Sequence, residues 1–172
     1  MPDVADVILR LSAATLIGAA IGLNRDLHGK PIGVRTLGLV GLASAIATLA
    51  VAPTGSEGVR SFDATSRVIQ GVLTGIGFLG AGVIVRRSIG KRVHGLTSAA
   101  CAWATACLGL VCGLAAWPIV ATGVVLVFAL LIFGGPFERM SQRWLGEHFR
   151  EAEEPEEAER AEASPQQTDH QS

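Results

Sequence analysis

Residues 71–87 read GVLTGIGFLGAGVIVRR, and their glycines admit two incompatible structures. Gly75, Gly77 and Gly80 have the GxGxxG spacing of a dinucleotide-binding turn. Such a turn needs a strand before it, a helix after it and an acidic residue roughly 20 positions further on. Here the glycines sit in an unbroken apolar run, and the charges that follow, Arg86, Arg87, Lys91 and Arg92, are all basic. The other structure is a helix in lipid, where little hydrophobic force acts between helices and small residues let backbones approach. Gly71 and Gly75 form a GxxxG pair; Gly18 with Gly22 and Gly109 with Gly113 form two more in other apolar runs. On a helix Gly71, Gly75 and Gly82 fall close to one face, and Gly77 and Gly80 widen it. The third run is therefore expected at the centre of a bundle, with enough glycine to permit a helix break beside a cavity.

Composition agrees with lipid. The chain has 172 residues, 49% of them hydrophobic, and a mean hydropathy of +0.45, high for a soluble domain. Apolar runs cover about residues 7–23, 34–52, 68–85, 96–115 and 118–134. Each approaches the roughly 20 residues that cross about 30 Å of hydrocarbon. The expected fold is all-α, a polytopic membrane bundle of about five transmembrane helices over residues 1–136. Asp3 and Asp6, not a basic segment, precede the first run, so it reads as a retained span. Arg10, one turn after Asp6, is placed to pair with it.

Loop charges orient the chain. Residues 24–35 carry Arg25, Lys30 and Arg35, residues 86–94 carry four Lys and Arg, and both loops should be cytoplasmic. Residues 53–67 mix Glu57 and Asp63 with Arg60 and Arg67, and residues 115–118 are uncharged. The N-terminus is thus expected outside and the C-terminus in the cytoplasm. Phe137, Met140, Trp144, Leu145 and Phe149 recur near helical spacing among charges, so residues 137–150 read either as a juxtamembrane amphipathic helix or as an extension of the fifth span. After Arg150 there are eight acids and one base, Arg160, which leaves thirteen Lys and Arg against seven Asp and Glu before it. Residues 151–172 read as a disordered acidic tail.

Several polar residues need a reason. Asp63, Arg67 and Gln70 precede or open the third run; Asp63 reads equally as an N-cap and as a boundary carboxylate with a function. Asn24, Arg25, Asp26, Lys30, Arg35 and Thr36 read first as topology charge and second as a ligand site. Thr97, Ser98, Trp103 and Thr105 suit hydrogen bonds between packed helices. Cys101, Cys107 and Cys112 read as small buried hydrophobes. No P-loop, zinc spacing, or nucleophile and base pair is present in the sequence. Neither a catalytic residue, a metal, a cofactor nor a nucleic-acid partner is expected, and the acids near the spans are too few for an autonomous magnesium pump.

The blocks GLNRDLHGKPIGVRTLGLVGLASA (22–45), DATSRVIQGVLTGIGFLGAGVIVR (63–86) and VHGLTSAACAWATACLGLVCG (93–113) resemble, in order and spacing, those of the MgtC/SapB family of bacterial inner-membrane proteins. The resemblance implies a multi-pass protein of the bacterial inner membrane, linked to growth under magnesium limitation and to survival of pathogens inside host cells. For some members it implies modulation of the F-type ATP synthase. By motif, Asp63 matches the family's acidic residue before the glycine-rich span, and Arg25, Lys30, Arg35 and Thr36 match its first cytoplasmic block. Asn24 stands where many relatives have Glu, and the acidic stretch stands where the best-studied members have a folded cytoplasmic domain. The function expected is regulation without enzymatic chemistry, by helix docking on a membrane complex such as the ATP synthase. The alternative is a small ion or solute transporter or channel, acting as a homo-oligomer because so few spans make a poor pore alone.

Overall fold

The first helix is defined by its two ends. The Asp3 carboxylate caps it, accepting the Val4 N–H at 2.8 Å, and Asp6 in the first turn complements the helix dipole. At the other end Gly29 adopts φ +60°. Its N–H donates to the Asp26 carbonyl at 3.0 Å and the Lys30 N–H to the Arg25 carbonyl at 3.0 Å, which together close a Schellman turn. Helix α1 therefore runs Val4–Leu27, four residues past the end expected from hydropathy. That extension moves Asn24, Arg25 and Asp26 from a loop into the last helical turn.

The computed structural model describes residues 2–51, 58–85 and 95–135. The expectations for 137–150 and 151–172, and for the charges of residues 86–94, lie outside the described residues. After α1 come α2 (Val34–Leu49), α3 (Gly58–Val85) and α4 (Leu96–Gly113), then α5 (Trp117–Gly135). All regular structure among the described residues is helical, as expected of an all-α bundle. Val4–Leu27, Asp63–Ile84, Leu96–Gly113 and Trp117–Gly135 are each long and apolar enough to cross a membrane. Helix α2 is shorter than the run of residues 34–52: its 16 residues span about 24 Å. Residues Met1–Phe128 form one compact unit, and of Ala129–Ser172 the described part, residues 129–135, is helical.

The core of the first unit is made by α1, α2 and α4. Leu37, Ile21, Thr48, Thr105 and Cys112 are fully buried there, and Ala14, Ala45, Cys112 and Val120 form a cluster that joins the start of α5 to it. The helices meet backbone to backbone. A Cβ on Gly109 would lie 2.9 Å from the Ser44 Cβ and closer still to the Gly41 carbonyl oxygen. One on Gly18 would run into the Leu37 carbonyl oxygen, one on Gly22 would stand 2.6 Å from the Val34 Cα, and one on Gly113 2.7 Å from the Ala45 carbonyl oxygen. Both GxxxG pairs thus seat on α2, as small residues should in lipid.

The third pair behaves differently, and the expected centre has to be corrected. Gly71, Gly75, Gly77 and Gly82 are exposed, and nothing lies within 4 Å of a Cβ placed on any of them. Only Gly80 is buried, its added Cβ meeting that of Ala99 at 3.5 Å. Helix α3 instead packs through Thr65, Ile76 and Gly80. With Ile76 and Gly80 buried, and Gly80 set against Ala99 of α4, Gly71, Gly75 and Gly82 are left facing outward. The close backbone approaches gather on α2, whose own Gly41 lies 2.5 Å, at its added Cβ, from the Ala14 carbonyl oxygen, while α4 is the most buried helix.

Thermal unfolding in detergent should separate the two classes of glycine. Gly109→Ala is expected to destabilise by about 1–3 kcal/mol through overpacking, while Gly77→Ala should stay within roughly 0.5 kcal/mol of the parent.

Candidate functional site

The polar residues expected from sequence to be functional are divided between opposite ends of the bundle. Asp63, Arg67 and Gln70 share an end with the N-terminal turns of α1 and the C-termini of α2 and α4. Thr65 Oγ1 donates to the Val51 carbonyl at 3.3 Å, and Arg10 Nη1 donates to the Gly113 carbonyl at 3.0 Å. Arg10 also pairs with Asp6, Nε donating to Oδ1 at 3.0 Å, so it closes a last-turn carbonyl of α4 while keeping its expected partner. Asp63 is not an N-cap, because α3 begins at Gly58. It forms an exposed pair with Arg67, Nη2 to Oδ2 at 3.1 Å, and Gln70 Nε2 donates to Ser66 Oγ at 3.4 Å. All three side chains face outward.

The other end gathers the C-terminus of α1, the N-termini of α2 and α4, and the end of α3. The Schellman turn at Gly29 leaves Asp26 beside α2, where its Oδ2 accepts the Val34 N–H at 2.9 Å. Gly33, the N-cap residue, has no side chain to cap with, and a Cβ there would collide with the Asp26 carboxylate. Asp26 therefore caps a helix eight positions ahead of it. On the far side, a Cβ on Gly95 would lie 3.3 Å from Val83 Cγ1, which brings the last turns of α3 against the start of α4.

Arg25 is enclosed between these elements, only 6% exposed. Its Nη2 donates to Ser98 Oγ at 2.7 Å, and its Nε, sealed from solvent, has no acceptor. No described carboxylate balances it. Asp3 caps α1, Asp6 holds Arg10, Asp26 caps α2 and Asp63 holds Arg67. Ser98 stands in the first turn of α4, the positive end of that helix, so the guanidinium meets a partial charge of its own sign. A buried charge with one neutral acceptor is unfavourable by several kcal/mol, and at a membrane boundary such a residue points to function. Lys30, Arg35 and Thr36 are exposed around it, and Asn24 is half-buried with its carbonyl 2.7 Å from His28 Nδ1.

Beside this end lies a groove of about 580 Å³ between Pro31, Ile32 and Thr36 on one wall and Phe78, Leu79, Gly82 and Val83 on the other. Ile32 adopts φ +67°, a left-handed conformation that a β-branched residue rarely accepts. Such strain costs about 1–3 kcal/mol and persists only where the surroundings enforce it. Among the described residues no three His, Cys, Asp or Glu side chains gather as a metal site would require. Two features were not singled out from sequence, the Arg25 to Ser98 bond and the Asp26 cap. The first joins residues 73 positions apart and has no local signal; the second carries only the weak one of an acid shortly before a glycine that opens a helix.

The chain matches the MgtC family over residues 11–140. It belongs to that family. Among curated members, Protein SrpB of Synechococcus elongatus is 44% identical over 146 residues, covering 79% of this chain and 78% of SrpB. Protein MgtC of Salmonella typhimurium is 36% identical over 136 residues, 78% of this chain and 55% of MgtC. Putative magnesium transporter YhiD of Escherichia coli is 37% identical over 131 residues, 74% of this chain and 60% of YhiD. The chain thus spans little more than half the length of the last two. No solved structure matches it. Family membership and four span-length apolar helices make this a membrane protein.

Charge and cap at the basic end should separate on mutation. Asp26→Ala is expected to lower stability by about 1 kcal/mol, the usual cost of a lost helix cap. Arg25→Met should leave the melting temperature unchanged or raise it, since it removes an uncompensated buried charge. Both are read by thermal denaturation of the delipidated protein in detergent.

Proposed function

We propose that this MgtC-family chain is a non-enzymatic regulatory protein of the bacterial inner membrane that docks helix to helix on another membrane complex during adaptation to magnesium limitation, including that of pathogens inside host cells. The F-type ATP synthase, which the family resemblance implies for some members, is the partner to test first. The observation that carries this reading is the contrast between glycine faces. In α1, α2 and α4 small residues meet a neighbouring backbone, whereas Gly71, Gly75 and Gly82 on α3 meet nothing within 4 Å. In lipid such a face is what a second helix packs on, and Phe78, 82% exposed between Gly75 and Gly82, supplies a bulky anchor beside it. The basic loops, taken as cytoplasmic by the positive-inside rule, would be secondary contacts.

A second reading rests on the name of the Escherichia coli relative, Putative magnesium transporter YhiD, and on the outward row of Asp63, Arg67 and Gln70 along α3. A homo-oligomer packed through α3 would bring those rows together around an ion or solute path.

Affinity purification of the tagged protein from magnesium-starved cells in mild detergent tests the first reading. ATP synthase subunits should be recovered with the parent and reduced at least about tenfold with Gly75→Leu, a loss of roughly 1.4 kcal/mol in affinity, while the helical content of the variant is unchanged. Equal recovery would defeat docking through this face. Reconstitution tests the second reading: a transport path predicts ion flux that Asp63→Asn abolishes with folding intact.

A further inference from the structure

The basic end combines two features that a single amphipathic molecule would satisfy. One is electrostatic. Arg25 is 6% exposed, with an orphaned Nε and no carboxylate partner among the described residues; through Ser98 it is aimed at the first turn of α4. Its N-cap, Gly95, has no side chain to cap that turn, and none among the described residues caps it. A helix N-terminus and a guanidinium together are a site for an anion. Lys30 and Arg35 add exposed positive charge on the adjoining loop and helix.

The other feature is apolar. The groove of about 580 Å³ is walled chiefly by Pro31, Ile32, Phe78, Leu79 and Val83, with Phe78 82% and Leu79 54% exposed. One wall belongs to the loop and helix that Asp26 ties to α1. The other ends at Val83, against Gly95 at the start of α4. A soluble anion has no use for such walls, and a hydrocarbon chain has none for Arg25.

We propose that this end binds one anionic phospholipid, an acyl chain lying along the groove and the phosphate held at the N-terminus of α4 in the field of Arg25. The guanidinium acts from beneath the surface. In a low dielectric its field is little screened, and the lipid phosphate supplies the negative charge that the described carboxylates do not. The buried arginine is then a headgroup-selecting residue rather than a topology signal, and the strained Ile32 shapes the chain's channel. The groove shares Phe78 and Gly82 with the face proposed for docking, but Gly75 lies outside its lining, so loss of a partner with Gly75→Leu and loss of lipid with Arg25→Gln are separate outcomes.

The test uses the full chain in mild detergent, delipidated and then titrated with phosphatidylglycerol, with phosphatidylcholine of the same acyl chains, or with inorganic phosphate. Native mass spectrometry counts retained lipid and thermal denaturation reads stabilisation. Phosphatidylglycerol alone should be retained at one molecule per chain and raise the melting temperature. Arg25→Gln should weaken its binding about tenfold, the order expected when one nearby charge is removed from a site of low dielectric. Gly82→Leu fills the groove at a position with nothing within 4 Å, so it should fold as the parent does and lose the lipid. Equal retention of phosphatidylcholine would overturn the proposal, as would stabilisation by inorganic phosphate alone, which would mark a soluble-anion site. Unchanged phosphatidylglycerol preference in Arg25→Gln would also overturn it. Should that variant fail to fold, undiminished lipid retention by Gly82→Leu does so in its place.

Discussion

Everything in the first unit depends on how closely α2 approaches the helices on either side of it. In hydrocarbon, leucines gain little by leaving lipid for one another, so the bundle must be held by dispersion contacts and polar bonds that only short separations allow. Gly18 and Gly22 of α1 and Gly109 and Gly113 of α4 bring those helices onto the α2 backbone, and Gly41 returns the contact. The buried hydroxyls tolerate this proximity because they are satisfied within their own helices: Thr48 donates to the Ser44 carbonyl at 2.7 Å and Thr105 to the Cys101 carbonyl at 2.8 Å. A bundle assembled this way leaves no room for side-chain adjustment at its centre.

Much of this was legible in the sequence, and what was not has a physical reason. Hydropathy located the five helices because length and apolar composition are local properties, and Gly18, Gly22, Gly109 and Gly113 lie against the α2 backbone. The error over α3 came from the same rule. Spacing tells which glycines share a face but not whether the fold turns that face inward; Ile76 and Gly80, not Gly71 and Gly75, made the contact. The end of α1 was misplaced because hydropathy stops at the first charges while the helix continues to its Schellman turn. Gly29, followed by Lys30 and Pro31, was the available signal for that end.

The polar sites divide along the same line. Arg10 with Asp6 was readable as one turn of one helix, and so was Arg67 with Asp63. Arg25, taken chiefly as topology charge, became the least expected residue once the last turn of α1 carried it inward to Ser98. Its isolation from every described carboxylate is a property of the assembled helices and leaves no trace in local sequence. Asp26, its neighbour, is drawn away to serve α2, so two adjacent residues of opposite charge end in different roles.

The shortness of α2 has a bearing on the membrane itself. With 16 residues it reaches about 24 Å, some 6 Å less than an ordinary hydrocarbon core. Its outer side carries Leu39 and Ile46, 60% and 49% exposed, so along that stretch the bilayer must conform to the helix. Mismatch of this kind is relieved by thinning the surrounding leaflets at modest cost per ångström. Polar headgroups and water would then sit deeper beside α2 than around its longer neighbours. The protein would favour thin membranes, with the bilayer dimpled beside α2 more than beside the longer α1 and α3.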